Sequence, residues 1–361
     1  MKSNFVLVSF FRITDPYSGG SEVSYNFFKN IPSKNKILFQ FSDNNKKYKK
    51  VNSIFVKNSK YHKIFNLKKL ADKIKSYCKN KKKIVIIIEG SSWAGYTFSL
   101  YNLLKKDLSD ATFIYHSQNI EYVIRKYKEN FLITYLTKYF ENYIANNFDI
   151  FTCTSKEEKK IVDEIYGIKS HTLSNGIQLP KNINKLRPIK KKYDYIFFGG
   201  NIEFYPNYDA LKTLVKDIMP KVNNKNPSLK LIVSGNKSLP FKENFLINAG
   251  FVSKNKFLQY LKGASLFVNP MQITFGVQTK TLHALALGKS IVATNDGVAG
   301  VKLNQNFKNV FICNNNREFA KKILLKLKSK KINKNASKYY LNLYKMKNIV
   351  NEFFIKQNLL N

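Results

Sequence analysis

Lys280 and His283 stand three residues apart in a segment between Gly263 and Asp296 that reads GASLFVNPMQITFGVQTKTLHALALGKSIVATND. It parses as a buried strand over 266–268, a loop over 271–277 carrying Gly276, a helix over 278–287 and a strand over 290–294. Leu282, Leu285 and Ala286 have core spacing on that helix, and Gly288 is its stop. Lys280 then falls in the first helical turn, where the macrodipole disfavours a cation. A bound anion reverses that penalty, because the ammonium and the free N–H groups at Gln278 and Thr279 converge on it. His283 lies on the same face. The competing reading is a solvated lysine in a chain crowded with them.

Three further places have residue types suited to ligand chemistry. His116 follows a strand over 111–115 and Glu121 stands in the same loop, just past a strand's carboxyl end, where α/β proteins bind ligands. A lone histidine is more often structural, so His116 stays open on position alone. Gly19 and Gly20 follow a first strand over 5–13 and let backbone approach a ligand at the start of a helix over 22–30, with Ser21 as N-cap. Gly199, Gly200 and Asn201 form the corresponding loop after a strand over 195–198, before a helix over 207–222 with Pro206 in its first turn. The alternative for each Gly-Gly is an ordinary turn. Neither GxGxxG nor GxxxxGK[ST] occurs. No carboxylate cluster is shaped for a divalent metal, and Cys78, Cys153 and Cys313 are too far apart for metal-ligand spacing.

Positioning these groups requires alternating strands and helices, hence βαβ units and parallel sheets. Further strands are expected over 83–89, 148–154 and 229–234. A helix over 156–166 has Ser155 as cap, with Glu158 completing a capping box. The stretch 125–147 reads as one long helix with Tyr127, Phe131, Tyr135, Tyr139 and Tyr143 at helical spacing, mostly core. At 361 residues the chain accommodates two domains. They are expected over 1–180 and 190–336, joined by a charged linker over 178–192, with a last helix over 337–361 packing back on the first. The net charge of +39, from 62 Lys+Arg against 23 Asp+Glu, could suggest nucleic acid or an anionic membrane. Its arginines are only Arg12, Arg125, Arg187 and Arg317, which is against nucleic-acid reading. The basic run over 46–83 beside the aromatic helix makes an anionic membrane surface a candidate partner. No apolar run approaches a membrane span, so a soluble or peripheral protein in a reducing cytoplasm, at most on the inner face of the plasma membrane, is expected.

The run GVQTKTLHALALGKSIVAT resembles the donor-binding segment of family 4 (group 1) glycosyltransferases, whose pattern is G-x-x-x-K-x-L-E-A-M-A-x-G-K-P-V-V-x-T. Lys280, Leu282, Ala284, Ala286, Gly288, Lys289, Val292 and Thr294 fall in place. The family's Glu-x7-Glu pair is replaced by Phe275 and His283. Leu173-Ser-Asn-Gly-Ile177, the GGNIEFYPNYDA run from Gly199, and the segments at Gly250 and Tyr260 are similar to other family signatures.

The resemblance implies a GT-B fold: two Rossmann-like domains facing across a cleft. It also implies transfer of a sugar from a nucleoside-diphosphate sugar to a glycan or lipid-linked acceptor hydroxyl, with retention and without a metal or other cofactor. It gives His116 the transferring sugar, Lys280 the diphosphate, and Glu121 a further place in the catalytic loop. Gly19, Gly20, Gly199, Gly200, Asn201, Gly276, Gln278, Thr279 and His283 are then donor-binding. Surface-polysaccharide or glycolipid assembly is the usual setting. A catalytically silent sugar or nucleotide binder remains the alternative, with a basic nucleic-acid-binding protein behind it.

Overall fold

The computed structural model describes residues 3–16, 18–57, 60–90, 92–126, 129–273, 276–327 and 332–360. The chain divides into two compact units, Met1–Asn175 with Met346–Asn361, and Gly176–Lys345.

In the first unit the chain runs β1 (Asn4–Ser9), α1 (Gly19–Asn30), β2 (Lys36–Ser42), β3 (Val51–Phe55), α2 (Lys60–Phe65), α3 (Leu67–Cys78), β4 (Ile84–Glu89) and α4 (Ala94–Lys105). It continues through β5 (Thr112–His116), α5 (Glu121–Lys126), α6 (Phe131–Asn147), β6 (Ile150–Cys153), α7 (Lys156–Tyr166) and β7 (His171–Thr172). The strands form one sheet in the order β3-β2-β1-β4-β5-β6-β7, paired in parallel throughout. The unbroken apolar run of β1 is explained by burial on both faces. Val6 and Val8 meet α3 and α4, while Phe5 and Leu7 meet α1 and the last helix. The order reverses between β1 and β4, the switch point at whose carboxyl ends such sheets bind ligands.

The second unit runs β8 (Tyr195–Gly199), α8 (Tyr205–Thr213), a π-turn over Leu214–Ile218, α9 (Met219–Asn223), β9 (Lys230–Ser234), β10 (Leu246–Asn248) and α10 (Lys254–Gly263). Then come β11 (Leu266–Asn269), α11 (Thr279–Ala286), β12 (Ile291–Ala293), β13 (Val310–Ile312), α12 (Asn316–Lys326) and α13 (Lys334–Leu343). Its parallel sheet has the order β10-β9-β8-β11-β12-β13.

Several local expectations are corrected. The helix read over 125–147 is two helices: α5 ends at Lys126, and α6 starts at Phe131 with Asn130 as its cap. Tyr127 lies outside the described residues. The buried stripe of α6 is Thr137, Glu141, Ile144 and Ala145, while Phe131 is 84% and Tyr135 59% exposed. Both stripes have helical period, so spacing alone could not choose between them. The helix read over 337–361 is also two. Helix α13 packs on α11, and α14 (Met346–Lys356) packs on α1 within the first unit. The helix read over 207–222 is broken by the π-turn before Pro220, which lacks the N–H that a continuous helix needs. Ser155 does cap α7, but Glu158 bonds Thr154 instead of closing the box. The expected linker docks along α10: Lys262 donates to Ile183 and Leu186 carbonyls at 2.9 and 2.8 Å. Among the described residues, no helix is long and apolar enough to cross a membrane.

Candidate functional site

In the second unit, the turn after β8 is shaped by close packing. A Cβ at Gly199 would meet the Phe257 ring at 2.5 Å, and one at Gly200 would meet Asn207 at 2.8 Å. Asn207 Nδ2 donates to the Asn201 carbonyl at 3.0 Å. From the other side, buried Asn236 donates to the Gly200 carbonyl at 2.9 Å and accepts from the Ile202 amide at 2.7 Å. The neighbouring Gly235 has φ +104°, and a Cβ there would press on the Gly200 carbonyl carbon at 3.0 Å. A side chain at Gly235 is therefore excluded twice, by conformation and by space.

The same Asn207 reaches Lys280. Its Oδ1 accepts from Nζ at 2.8 Å, so one amide side chain joins the 200–201 turn to the start of α11. Lys280 Nζ also lies 3.5 Å from Met271 Sδ and 4.5 Å from the centre of the Phe198 ring. No carboxylate pairs with it among the described residues. Burial lowers its pKa to about 7. An amide oxygen, a thioether and a ring face hold an ammonium in place without neutralising it. A counter-charge is therefore wanted from elsewhere.

Helix α11 brings further donors to Lys280. Gly276 has φ +70°, the left-handed conformation that sets the chain's entry. Gln278 occupies the N-cap without a side-chain cap bond, so the first-turn amides of Thr279 and Lys280 have no helical acceptor. Thr281 anchors the turn: its Oγ1 donates to Gly297 O at 2.8 Å and accepts from Asn269 Nδ2 at 3.1 Å. His283 is buried, edge-on to Phe257 of α10 with 6.1 Å between ring centres. Phe275, the other position where the sequence departs from the family's acidic pair, lies outside the described residues. Lys289 has a different job. It is buried, and its Nζ donates to the carbonyls of Ala264 and Lys262 at the end of α10, where a cation complements the helix dipole.

In the first unit, His116 is the last residue of β5. Its Nδ1 lies 2.8 Å from Thr152 Oγ1, whose own hydroxyl donates to Tyr115 O at 3.3 Å. That assigns the imidazole proton to Nδ1 and leaves Nε2 as an acceptor. Burial lowers the His116 pKa to about 3, so the ring is neutral at physiological pH. It packs on Phe27 at 4.9 Å.

Glu89 is the β4 register partner of His116 and is fully buried. Its Oε2 accepts from Ser24 at 2.9 Å and Gln118 at 3.0 Å, whereas Oε1 has no partner among the described residues. Burial pushes its pKa up to about 7. Glu121 pairs with Arg125 at 3.0 Å, and its amide donates to buried Glu141 at 2.9 Å. Gly19 and Gly20 are the first two residues of α1 rather than a loop. Ser18 is the N-cap, and Ser21 closes a capping box with it, which corrects Ser21 as cap. A Cβ at Gly20 would meet nothing within 4 Å.

Lys280 and His116 are candidates already in the sequence, whereas Asn207, Asn236, Asn269 and Glu89 come beside the candidate residues only through the fold. For Asn207 a signal existed in the Pro206-Asn207 pair of the quoted run. For Glu89 there was none beyond its place at a strand end.

Residues 193–329 match the family model described as Glycosyl transferases group 1. The protein described as "Uncharacterized 44.6 kDa protein in cps region" of Klebsiella pneumoniae is 25% identical over 302 residues, 77% of this chain and 75% of that protein. Sucrose-phosphate synthase from Thermosynechococcus elongatus is similar in structure with a TM-score of 0.75 at 12% identity, covering 99% of this chain and 98% of that one. Anabaena HepE in complex with UDP gives a TM-score of 0.66 at 11% identity, covering 99% and 100%. At such identities the likeness is one of fold. The chain has two Rossmann-like α/β halves with parallel sheets, the GT-B fold of glycosyltransferases.

Proposed function

We propose that the protein is a glycosyltransferase that moves a sugar from a nucleoside-diphosphate sugar to an acceptor hydroxyl, with retention of anomeric configuration. The observation that carries this is Lys280, an ammonium held without a counter-charge at the uncapped start of α11. As the sugar–phosphate bond breaks, negative charge builds on the departing diphosphate. Fixed donors aimed at that charge are the largest catalytic lever available. Lys280 and the amides of Thr279 and Lys280 supply them, and Asn207 sets their position. The match over 193–329 and the solved HepE complexes with UDP and with UDP-glucose support a nucleotide-sugar donor.

His116 is assigned to the transferring sugar, as a neutral acceptor for a hydroxyl. Glu121, already paired with Arg125, remains a candidate from the same loop. The relative from a cps region supports a role in polysaccharide assembly. An anionic membrane surface is a further proposed partner, favoured by the exposed stripe of Phe131, Leu132, Tyr135 and Tyr139 on α6. Helix α4 packs against both α6 and the basic α3.

The test is a thermal-shift panel of UDP, GDP, ADP, dTDP and CMP, followed by turnover with the matching sugar donors. A nucleotide at about 100 times its dissociation constant stabilises by roughly 2.7 kcal/mol. Lys280→Ala is expected to lower turnover about 100-fold or more. Nucleotide binding without donor hydrolysis or transfer would favour the silent-binder reading.

A further inference from the structure

At the carboxyl edge of the first sheet, beyond β1, β2 and β3, lies a cavity of about 130 Å³. Its lining includes Arg12, Phe41, Ser42, Asp43, Val56 and Lys63, the last contributed by α2. Phe11 and Arg12 of its lining follow β1, one of the two strands at the switch point where open α/β sheets take their ligands. Phe41 and Val56 are buried and make an apolar wall. The two cations differ in their partners. Arg12 Nε donates to Asp43 at 2.6 Å, so those charges offset each other. Lys63 is partly buried and has no carboxylate partner among the described residues. Desolvation lowers its pKa, the signature of an ammonium that has lost water and gained no counter-charge. Arg12 and Lys63 against Asp43 leave the lining one positive charge in excess.

We infer that this cavity holds a phosphate group carried by the acceptor, with Lys63 as the charge that fixes it. The inference rests on the glycosyl-transfer reading and extends it to the chemical class of acceptor. The sheet order sets the scale. From β5, which ends in His116, to β2 is three strand spacings, about 14 Å. The acceptor's phosphate then lies on the order of 10 Å or more from a hydroxyl attacked near His116. A phosphorylated soluble glycan and a glycan on a lipid phosphate share this chemistry.

The test uses the full chain and inorganic phosphate as probe, titrated at low ionic strength into wild type, Lys63→Met, Lys63→Arg and Lys280→Met. Lys63→Met should weaken phosphate binding by about ten- to a hundredfold, the loss of one charge-assisted contact. Lys63→Arg should largely restore it, and Lys280→Met should leave this site bound. Equal affinity in wild type and Lys63→Met, or complete loss in Lys280→Met, overturns the assignment. Melting curves confirm that each variant is folded. Glucose 6-phosphate and phosphatidylcholine vesicles containing phosphatidic acid then compete against bound phosphate. Displacement by the first marks a soluble acceptor and by the second a lipid-linked one, while displacement by neither removes the acceptor assignment. Nucleotide binding is measured separately on Lys63→Met and should match wild type. If no nucleotide binds even to wild type, the glycosyl-transfer reading fails while the phosphate result stands by itself.

Discussion

Raising the pH from 7 to 9 should weaken nucleotide-diphosphate binding about fiftyfold, through Lys280 alone. Burial holds the free ammonium at a pKa of about 7, against an ordinary lysine value near 10.4. A diphosphate beside it supplies the missing counter-charge and returns the pKa to the ordinary range or above. Between those limits the complex holds up to one more proton than the free protein, so the fall in affinity steepens toward tenfold per pH unit above about pH 8. From pH 7, where the free ammonium is already half titrated, to pH 9 the loss is roughly 2.3 kcal/mol. At pH 8 binding should take up about 0.9 of a proton. The folding sign is opposite. With a folded-state pKa below the unfolded value, the unfolded chain binds more protons between about 7 and 10.4, so this group adds stability as pH rises there. The assay is calorimetry of the preferred nucleotide at pH 7, 8 and 9, in two buffers of different ionisation enthalpy. Lys280→Met is the control and should show a flat profile from an already weakened start. Equal affinities across the range, or heats that ignore the buffer, would refute the placement of Lys280 against the diphosphate.

Asn207→Ala removes the tether of Lys280 and of the Asn201 carbonyl together, and should lower turnover by roughly tenfold while leaving the melting temperature within a few degrees. In the resembling family a carboxylate holds the donor ribose where this chain has His283. His283→Ala should therefore weaken nucleotide binding by about 1 kcal/mol, and His283→Glu should keep or improve it, as read by the same calorimetry. Unchanged affinity in both variants would take His283 out of the donor site. Glu89 has a folded-state pKa raised to about 7, so its contribution to stability is present below pH 4.5 and lost as pH rises through 7. Denaturant melts of Glu89→Gln should show a smaller loss of stability between pH 5 and 7 than wild type, and parallel curves would contradict the protonated carboxyl. Phe131→Ser with Tyr135→Ser should reduce binding to anionic vesicles and leave the melt unchanged, since both side chains are exposed. Wild type that partitions equally onto neutral and anionic vesicles would end the membrane proposal.

The local alphabet of this chain determined its local elements. Apolar runs bounded by Gly and Pro, with helical periods between them, were enough to read 263–296 as strand, loop, helix and strand, and β11, α11 and β12 occupy those places. Ser155 as cap and Gly288 as stop are likewise short-range facts, settled by side-chain oxygen geometry and by a positive φ. The place of Lys280 in the first turn of a helix belongs to the same category.

What tertiary structure decided was which polar groups meet across long sequence distances. Asn207 and Lys280 are 73 residues apart, and Glu89 takes its partners from Ser24 and Gln118. No periodicity encodes such pairs, because a buried polar atom is satisfied by whatever the packing brings within about 3 Å. The same limit hid the exposed stripe of α6, where two stripes with one period compete and only the contact with α4, α5 and α7 selects the buried one. It also hid the break at Tyr344–Lys345, where the chain leaves α13 on the second unit and begins α14 on the first. Amphipathic spacing says that a helix has a face to bury. Which surface buries it is fixed only when the sheets have formed.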